Sequence, residues 1–179
     1  LITMGYGRSE SRNGGVFPWN FPIYGTYWTA ADVLVTHLGN INGGLDKLKG
    51  KKIALVYHDS PFGKEPIPLL KKRASMHDFE LVTIPVTHPG VEQKSAWIQI
   101  RKEKPDYVLL WGWGVMNSTA IKEATGVRYP RDQIYGIWWA GAEPDVRPAA
   151  ADAVGYQAVS MISSGQAQVH KDILSYIYD

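Results

Sequence analysis

The chain has 179 residues, enough for one domain or one domain with attached pieces, and its 45% hydrophobic and 20% charged residues exclude global disorder. The formal charge of +2 is too small an excess to argue for nucleic acid, and the basic clusters Lys47–Lys52 and Lys71–Arg73 read as solvated faces. Cysteine is absent, which excludes disulfides, thiol nucleophiles and thiolate metal sites, and no run reaches the roughly 18 apolar residues of a membrane-spanning helix.

In chain order, Leu1-Ile2-Thr3-Met4 reads as the end of a strand, with no basic and apolar leader in front of it. Residues 5–26 hold Gly-Tyr-Gly, Asn-Gly-Gly, Pro18 and Pro22, a density of glycine and proline that predicts loop. Trp28, Ala31, Val35 and Leu38 have helical spacing within Tyr27–Leu38, and Gly43-Gly44 breaks the chain before a short Leu45–Leu48 segment. Lys52–Tyr57 is a short apolar run and predicts a buried strand, followed by a His58–Gly63 loop and a Lys64–Met76 helix whose regular part Pro66 and Pro68 confine to the later turns. The alternation continues: strand Glu80–Val86, helix Glu92–Lys104 stopped by Pro105-Asp106, strand Tyr107–Trp111, the tight Gly112-Trp113-Gly114 loop, and helix Val115–Thr125. A strand over Ile134–Trp138, helical turns over Ala142–Ala153 interrupted by Pro144 and Pro148, and a strand over Gly155–Ile162 follow. Val169, Ile173, Leu174, Ile177 and Tyr178 mark one face of a last helix that no Gly, Asn or Pro closes, so the chain is expected to be an internal piece of a longer protein.

Nearly wholly apolar strands alternating with helices predict a parallel sheet covered on both faces, a doubly wound α/β layer with right-handed crossovers. Such sheets bind ligands outside the carboxyl ends of their strands. The loops after Tyr57, Trp111 and Trp138 are therefore the candidate site. The first carries Phe62, the second Trp113, and the third Trp138 and Trp139. Any one ring could be a lid over the sheet end; rings at all of these loops favour a flat or apolar ligand.

Catalytic patterns are weak. The first strand is followed by His-Asp-Ser-Pro-Phe-Gly where a dinucleotide site needs Gly-x-Gly-x-x-Gly, and no phosphate-binding Gly-x-x-x-x-Gly-Lys-Ser/Thr occurs. The five histidines lie far apart, with no His-x-x-x-His pair to hold zinc on a helix. His58-Asp59-Ser60 has the residue types of a hydrolase triad, but triads assemble from separate segments, so these read as strand-end and turn residues that cap the next helix. Glu143 and Asp145 could form an acid/base pair; Glu143 equally suits a helix start or a hydrogen bond to a ligand.

The segment Lys49-Gly-Lys-Lys-Ile-Ala-Leu-Val-Tyr-His-Asp-Ser-Pro-Phe-Gly-Lys64 resembles the opening of the second lobe of type I periplasmic binding proteins, in the branch that takes branched-chain amino acids and aromatic compounds. Lys104-Pro-Asp-Tyr-Val-Leu-Leu-Trp-Gly112 resembles a later strand of that lobe, and Leu1-Ile-Thr-Met the end of a first-lobe strand; the likeness covers nearly the whole chain. It implies two α/β lobes that trap a ligand as a hinge closes. Residues 1–22 would be a remnant of the first lobe, 23–162 the second lobe, and 163–179 a return crossing and a first-lobe helix. Pro22–Thr26 and Ser163–Gly165 would be hinges.

The same resemblance makes Phe62 and Trp113 ligand-facing rings. It makes the stretch around Gly5, Tyr6, Gly7 and Ser9 the source of donors for a ligand carboxylate. Where amino-acid binders carry an acid for the ligand ammonium, this chain has Trp138 beside Trp139, with Glu143 a few residues on. The expectation is a solute-binding subunit of an ABC importer, periplasmic, working with a membrane permease. No catalytic residue, cofactor, metal, nucleic acid or membrane insertion of its own is expected. The favoured ligand is a small aromatic carboxylate such as a benzoate or cinnamate. The alternatives are an amino acid, a receptor ectodomain of the same fold, or an α/β enzyme.

Overall fold

The apolar runs lie side by side as one parallel sheet. The computed structural model describes residues 2–3, 11, 13–22, 25–161 and 168–178. Two residues of β1 (Ile2–Thr3) pair in parallel with β2 (Phe21–Pro22). The chain then enters α1 (Tyr27–Ile41), β3 (Lys52–His58), α2 (Pro61–Lys64), α3 (Ile67–His77), β4 (Glu80–Val86), α4 (Lys94–Glu103) and β5 (Tyr107–Trp111). It continues through α5 (Val115–Gly126), β6 (Ile134–Gly136), α6 (Glu143–Val146), β7 (Gln157–Ala158) and α7 (Gln168–Tyr178). The main sheet has the order β4-β3-β5-β6-β7, all parallel, so the winding direction reverses between β3 and β5. Such a switch point opens a crevice at the carboxyl ends of its two strands.

Both faces of the sheet are covered. Ile53–Val56 and Val108–Trp111 have no solvent exposure, which is why their sequences show no polar alternation. Ala30, Ala31, Leu34, Val35 and Leu38 give α1 a buried stripe, and Thr26 starts that helix by accepting a hydrogen bond from Thr29 N at 3.3 Å. Arg73 of α3 ties to α1 through Thr36 (3.1 Å) and an ion pair with Asp32. On α7, Val169, Ile173, Leu174 and Ile177 are exposed.

Several boundaries differ from the sequence expectation. The His58–Gly63 loop is in part the helix α2: Ser60 Oγ accepts from Gly63 N at 3.4 Å, and Pro61 occupies the first turn. The single Lys64–Met76 helix is thereby split into α2 and α3, with Pro66 at the junction. The Ile134–Trp138 strand stops at Gly136 because Trp138–Gly141 turns as a 3₁₀ helix, Ala140 N donating to Ile137 O at 2.8 Å. The Gly155–Ile162 strand contracts to Gln157–Ala158 at the sheet edge, where it has one neighbour. The Glu92–Lys104 helix runs from Lys94 to Glu103; Lys104, preceding Pro105, takes a left-handed conformation (φ 49°) and ends it.

Candidate ligand-binding site

Each expected loop rises from the carboxyl end of its strand. After β3, the tight turn into α2 needs Gly63, because a Cβ there would overlap the His58 carbonyl. That turn sets Phe62 half-buried over the sheet end. After β5, Gly114 has φ 55°, a conformation glycine supplies freely, and it leaves Trp113 43% exposed. Asp145 Oδ2 accepts from Gly114 N at 2.6 Å and from Asn117 Nδ2 at 3.2 Å, while Asn117 Nδ2 also donates to Trp139 O at 3.0 Å. These bonds fasten the loop after β5 to the turn after β6.

The rings meet. Phe62 stacks on Trp113, with centroids 5.6 Å apart and planes 19° apart. Tyr27, the first residue of α1, touches Phe62 edge-on at 5.0 Å and stacks on Trp138 at 5.5 Å and 21°. Trp139 Nε1 donates to the Tyr27 hydroxyl at 3.1 Å. Trp113 also meets the ring of His58 at 5.5 Å. A continuous aromatic wall thus runs along the sheet edge from His58 through Trp113, Phe62 and Tyr27 to Trp138, and it crosses the β3/β5 switch point. Burial first and the neighbouring His88 second lower the His58 pKa below the ordinary imidazole value, against a smaller opposing pull from Asp59.

Of the expected site residues, Phe62, Trp113, Trp138 and Trp139 are therefore brought together. Glu143 is exposed and ion-paired with Arg147, one helical turn on, and is not joined to the wall by any described contact. Gly5, Tyr6, Gly7 and Ser9, and the Ser163–Gly165 crossing, lie outside the described residues. Sequence reasoning missed Tyr27; its only local signal is its place after the Gly25-Thr26 cap. It also missed Asp145 and Asn117 as the fastening between loops. Among the described residues no cluster of three or more His, Cys, Asp or Glu could hold a metal ion. A concavity of about 270 Å³ lies at the opposite, amino edge of the sheet, lined by Arg101, Lys104, Pro105, Arg128, Tyr129 and Gln133. It sits where α4 and α5 end, away from the switch point, and we assign the aromatic wall rather than this hollow as the candidate site.

No curated protein matches the chain significantly. Among solved structures, one described as an ABC transporter permease from the Pseudomonas fluorescens group has a TM-score of 0.91 and 45% identity, over 99% of this chain and 43% of that one. A branched-chain amino acid ABC transporter protein from Thermus thermophilus, with bound valine, has a TM-score of 0.76 and 20% identity over 99% of this chain and 46% of that one. A solute binding protein from Rhodopseudomonas palustris in complex with benzoate has a TM-score of 0.59 and 21% identity over 84% of this chain and 40% of that one. The chain thus spans less than half the length of these relatives. The profile of the periplasmic binding protein family matches residues 2–168, the same chain that builds the parallel sheet and its aromatic edge, and the chain belongs to that family.

Proposed function

We infer that the chain is the ligand-reading part of an extracytoplasmic solute-binding subunit of an ABC importer, and that its ligand is a small aromatic carboxylate. The observation that carries this reading is the aromatic wall at the sheet's switch point, in which half-exposed Trp113 stacks on Phe62, and Phe62 and Trp138 both pack on buried Tyr27. A half-exposed indole such as Trp113 leaves apolar area in water, and covering it with a ligand ring is favourable by about 25 cal/mol per Å². Each well-placed ring contact adds roughly 0.5–1.5 kcal/mol.

Residues 23–162 form the second lobe in this reading. Residues 1–22 and 163–179 belong to the hinge and the first lobe, and Tyr6, Gly7 and Ser9 supply donors to the carboxylate. The partner is a membrane permease, and the ligand leaves unchanged. No helix among the described residues is long and apolar enough to cross a membrane, which is compatible with this role.

The electrostatics separate an aromatic acid from an amino acid. A buried ammonium without a carboxylate costs several kcal/mol. Glu143 is exposed and already paired with Arg147, and Asp145 already accepts from Gly114 and Asn117. A benzoate brings no ammonium. Thermal unfolding of the full-length protein with benzoate, cinnamate, leucine, valine and phenylalanine tests the assignment. The aromatic acids should raise Tm most; a larger shift with leucine or valine would overturn it.

A further inference from the structure

Two histidines that are 30 positions apart meet at the rim of the aromatic wall. His58 closes β3 in register with Val86 of β4, and the turn after β4 returns His88 to it. His58 Nε2 and His88 Nδ1 lie 3.0 Å apart. The other nitrogen of His58, Nδ1, lies 2.8 Å from Ser60 Oγ. His58 is 4% exposed, whereas His88 is open to solvent. A buried imidazole with both nitrogens engaged, its ring 5.5 Å from that of Trp113, therefore passes its hydrogen-bonding state to an exposed imidazole.

The chain Ser60–His58–His88 has two neutral arrangements. With Ser60 donating to His58 Nδ1, His58 Nε2–H donates to His88 Nδ1, and His88 Nε2 carries a proton and is a donor. With the direction reversed, His88 Nε2 is an acceptor. Adding one proton makes both nitrogens of His88 donors: Nδ1–H is accepted by neutral His58, and Nε2–H becomes a charged donor. Among the described residues, the wall itself offers no other formal positive charge at this end. Asp59, beside His58, is ion-paired at 2.6 Å with Lys64 of α2, and the loop after β5 contributes the neutral Trp113.

We propose that Ser60, His58 and His88 form an anion subsite at the Trp113 rim, which takes up one proton from solvent as an aromatic carboxylate binds. The proposal rests on the aromatic-acid reading above and adds to it a proton-coupled donor contributed by this lobe. The depressed basicity of buried His58 fits this arrangement, because His58 then stays neutral and can accept within the chain rather than carry the proton itself.

Calorimetry of benzoate binding to the full-length protein, in two buffers of different ionisation enthalpy near pH ~6.5, reads the coupling directly. We expect buffer-dependent heats that correspond to net proton uptake, and benzoate affinity that falls as pH rises. His88 is exposed and a glutamine amide can replace it as the partner of His58 Nε2, so His88→Gln should fold with a nearly unchanged Tm. It should abolish the buffer dependence and weaken benzoate binding by about tenfold at acidic pH, the loss of one charge-assisted hydrogen bond. At alkaline pH the two proteins should bind alike. Equal heats in both buffers, a buffer dependence that survives His88→Gln, or a weakening that is the same at every pH would each overturn the subsite while leaving the aromatic-acid reading intact. Absence of any benzoate heat or Tm shift in the unmodified protein would overturn that reading, and the subsite with it.

Discussion

At the amino edge of the sheet, polar groups are paired with one another. Lys52 Nζ lies 3.0 Å from Glu103 and 3.1 Å from Glu80, Asp106 accepts from Lys52 N at 2.8 Å, and Tyr129 donates its hydroxyl to Pro105 O at 3.0 Å. At the carboxyl edge the same strands end in rings: His58, Trp111 and the loops that carry Phe62, Trp113 and Trp138. The indole N–H of Trp138 is there buried with no acceptor among the described residues. Unpaired buried donors and half-exposed rings lower stability. The two edges thus differ in what they present, ion pairs and hydrogen bonds between side chains at one and half-exposed ring surface at the other. Under the proposed function, one sheet is held by ion pairs at one end and recognises the ligand at the other, with β3 and β5 running through both.

The comparison can be broken most forcefully within β5 and its loop. Trp111 has no solvent exposure and packs against Tyr27 at 6.1 Å, while Trp113, two residues on, is 43% exposed. Trp111→Ala should cost about 3–5 kcal/mol of folding stability, the usual loss for truncating a buried indole. Denaturant unfolding would read this as a large drop in midpoint. Trp113→Ala should leave that midpoint nearly unchanged and weaken benzoate binding by about 1–3 kcal/mol through lost area and stacking. If the two substitutions act alike in both assays, the division between core and binding edge is wrong.

Asp106 tests the amino edge from the other side. It accepts from the Lys52 backbone and lies 3.4 Å from Lys51 Nζ, and its side chain is partly open to water. Asp106→Ala should destabilise by about 1–2 kcal/mol, since the Lys52 N–H loses its acceptor in a half-wet setting. Benzoate affinity, measured at a temperature where both proteins are folded, should not change. A loss of affinity there would show that the two edges are coupled.

The sequence made the order of strands and helices legible because the strands are buried on both faces and so are written as unbroken apolar runs. Ile53-Ala-Leu-Val-Tyr57 and Val108-Leu-Leu-Trp111 need no alignment to be read as buried strands. The rings after those strands were legible for the same reason: a loop that follows a parallel strand must emerge at the carboxyl edge. What was not legible depends on register and on approach in space. His58 and His88 meet only because β3 and β4 pair with His58 opposite Val86, an offset that neither strand's composition encodes. Tyr27 joins the wall because α1 begins over the sheet edge, and helical spacing within Tyr27–Leu38 says which face is buried but not where the first turn lies. β7 was read too long because Gly155–Ile162 has strand-like composition, whereas pairing stops where its single neighbour, β6, turns away at Trp138.

The smallest expected effect concerns Glu143. Its carboxylate is exposed and pairs with Arg147 one turn away on the same surface. Exposed pairs of this kind contribute roughly 0–1 kcal/mol, so Glu143→Gln should shift stability by less than about 0.5 kcal/mol. It should leave benzoate binding unchanged, because the wall that holds the ring does not include it. The informative arm is leucine. An amino acid needs a carboxylate for its ammonium, and Glu143 could serve only by leaving Arg147 and turning toward the wall. Measured leucine binding that disappears in Glu143→Gln would mean that this rearrangement occurs, and the ligand would then be read through its ammonium rather than its ring. Trp113→Ala would in that case cost leucine little, whereas for benzoate it should remain the more damaging of the two substitutions.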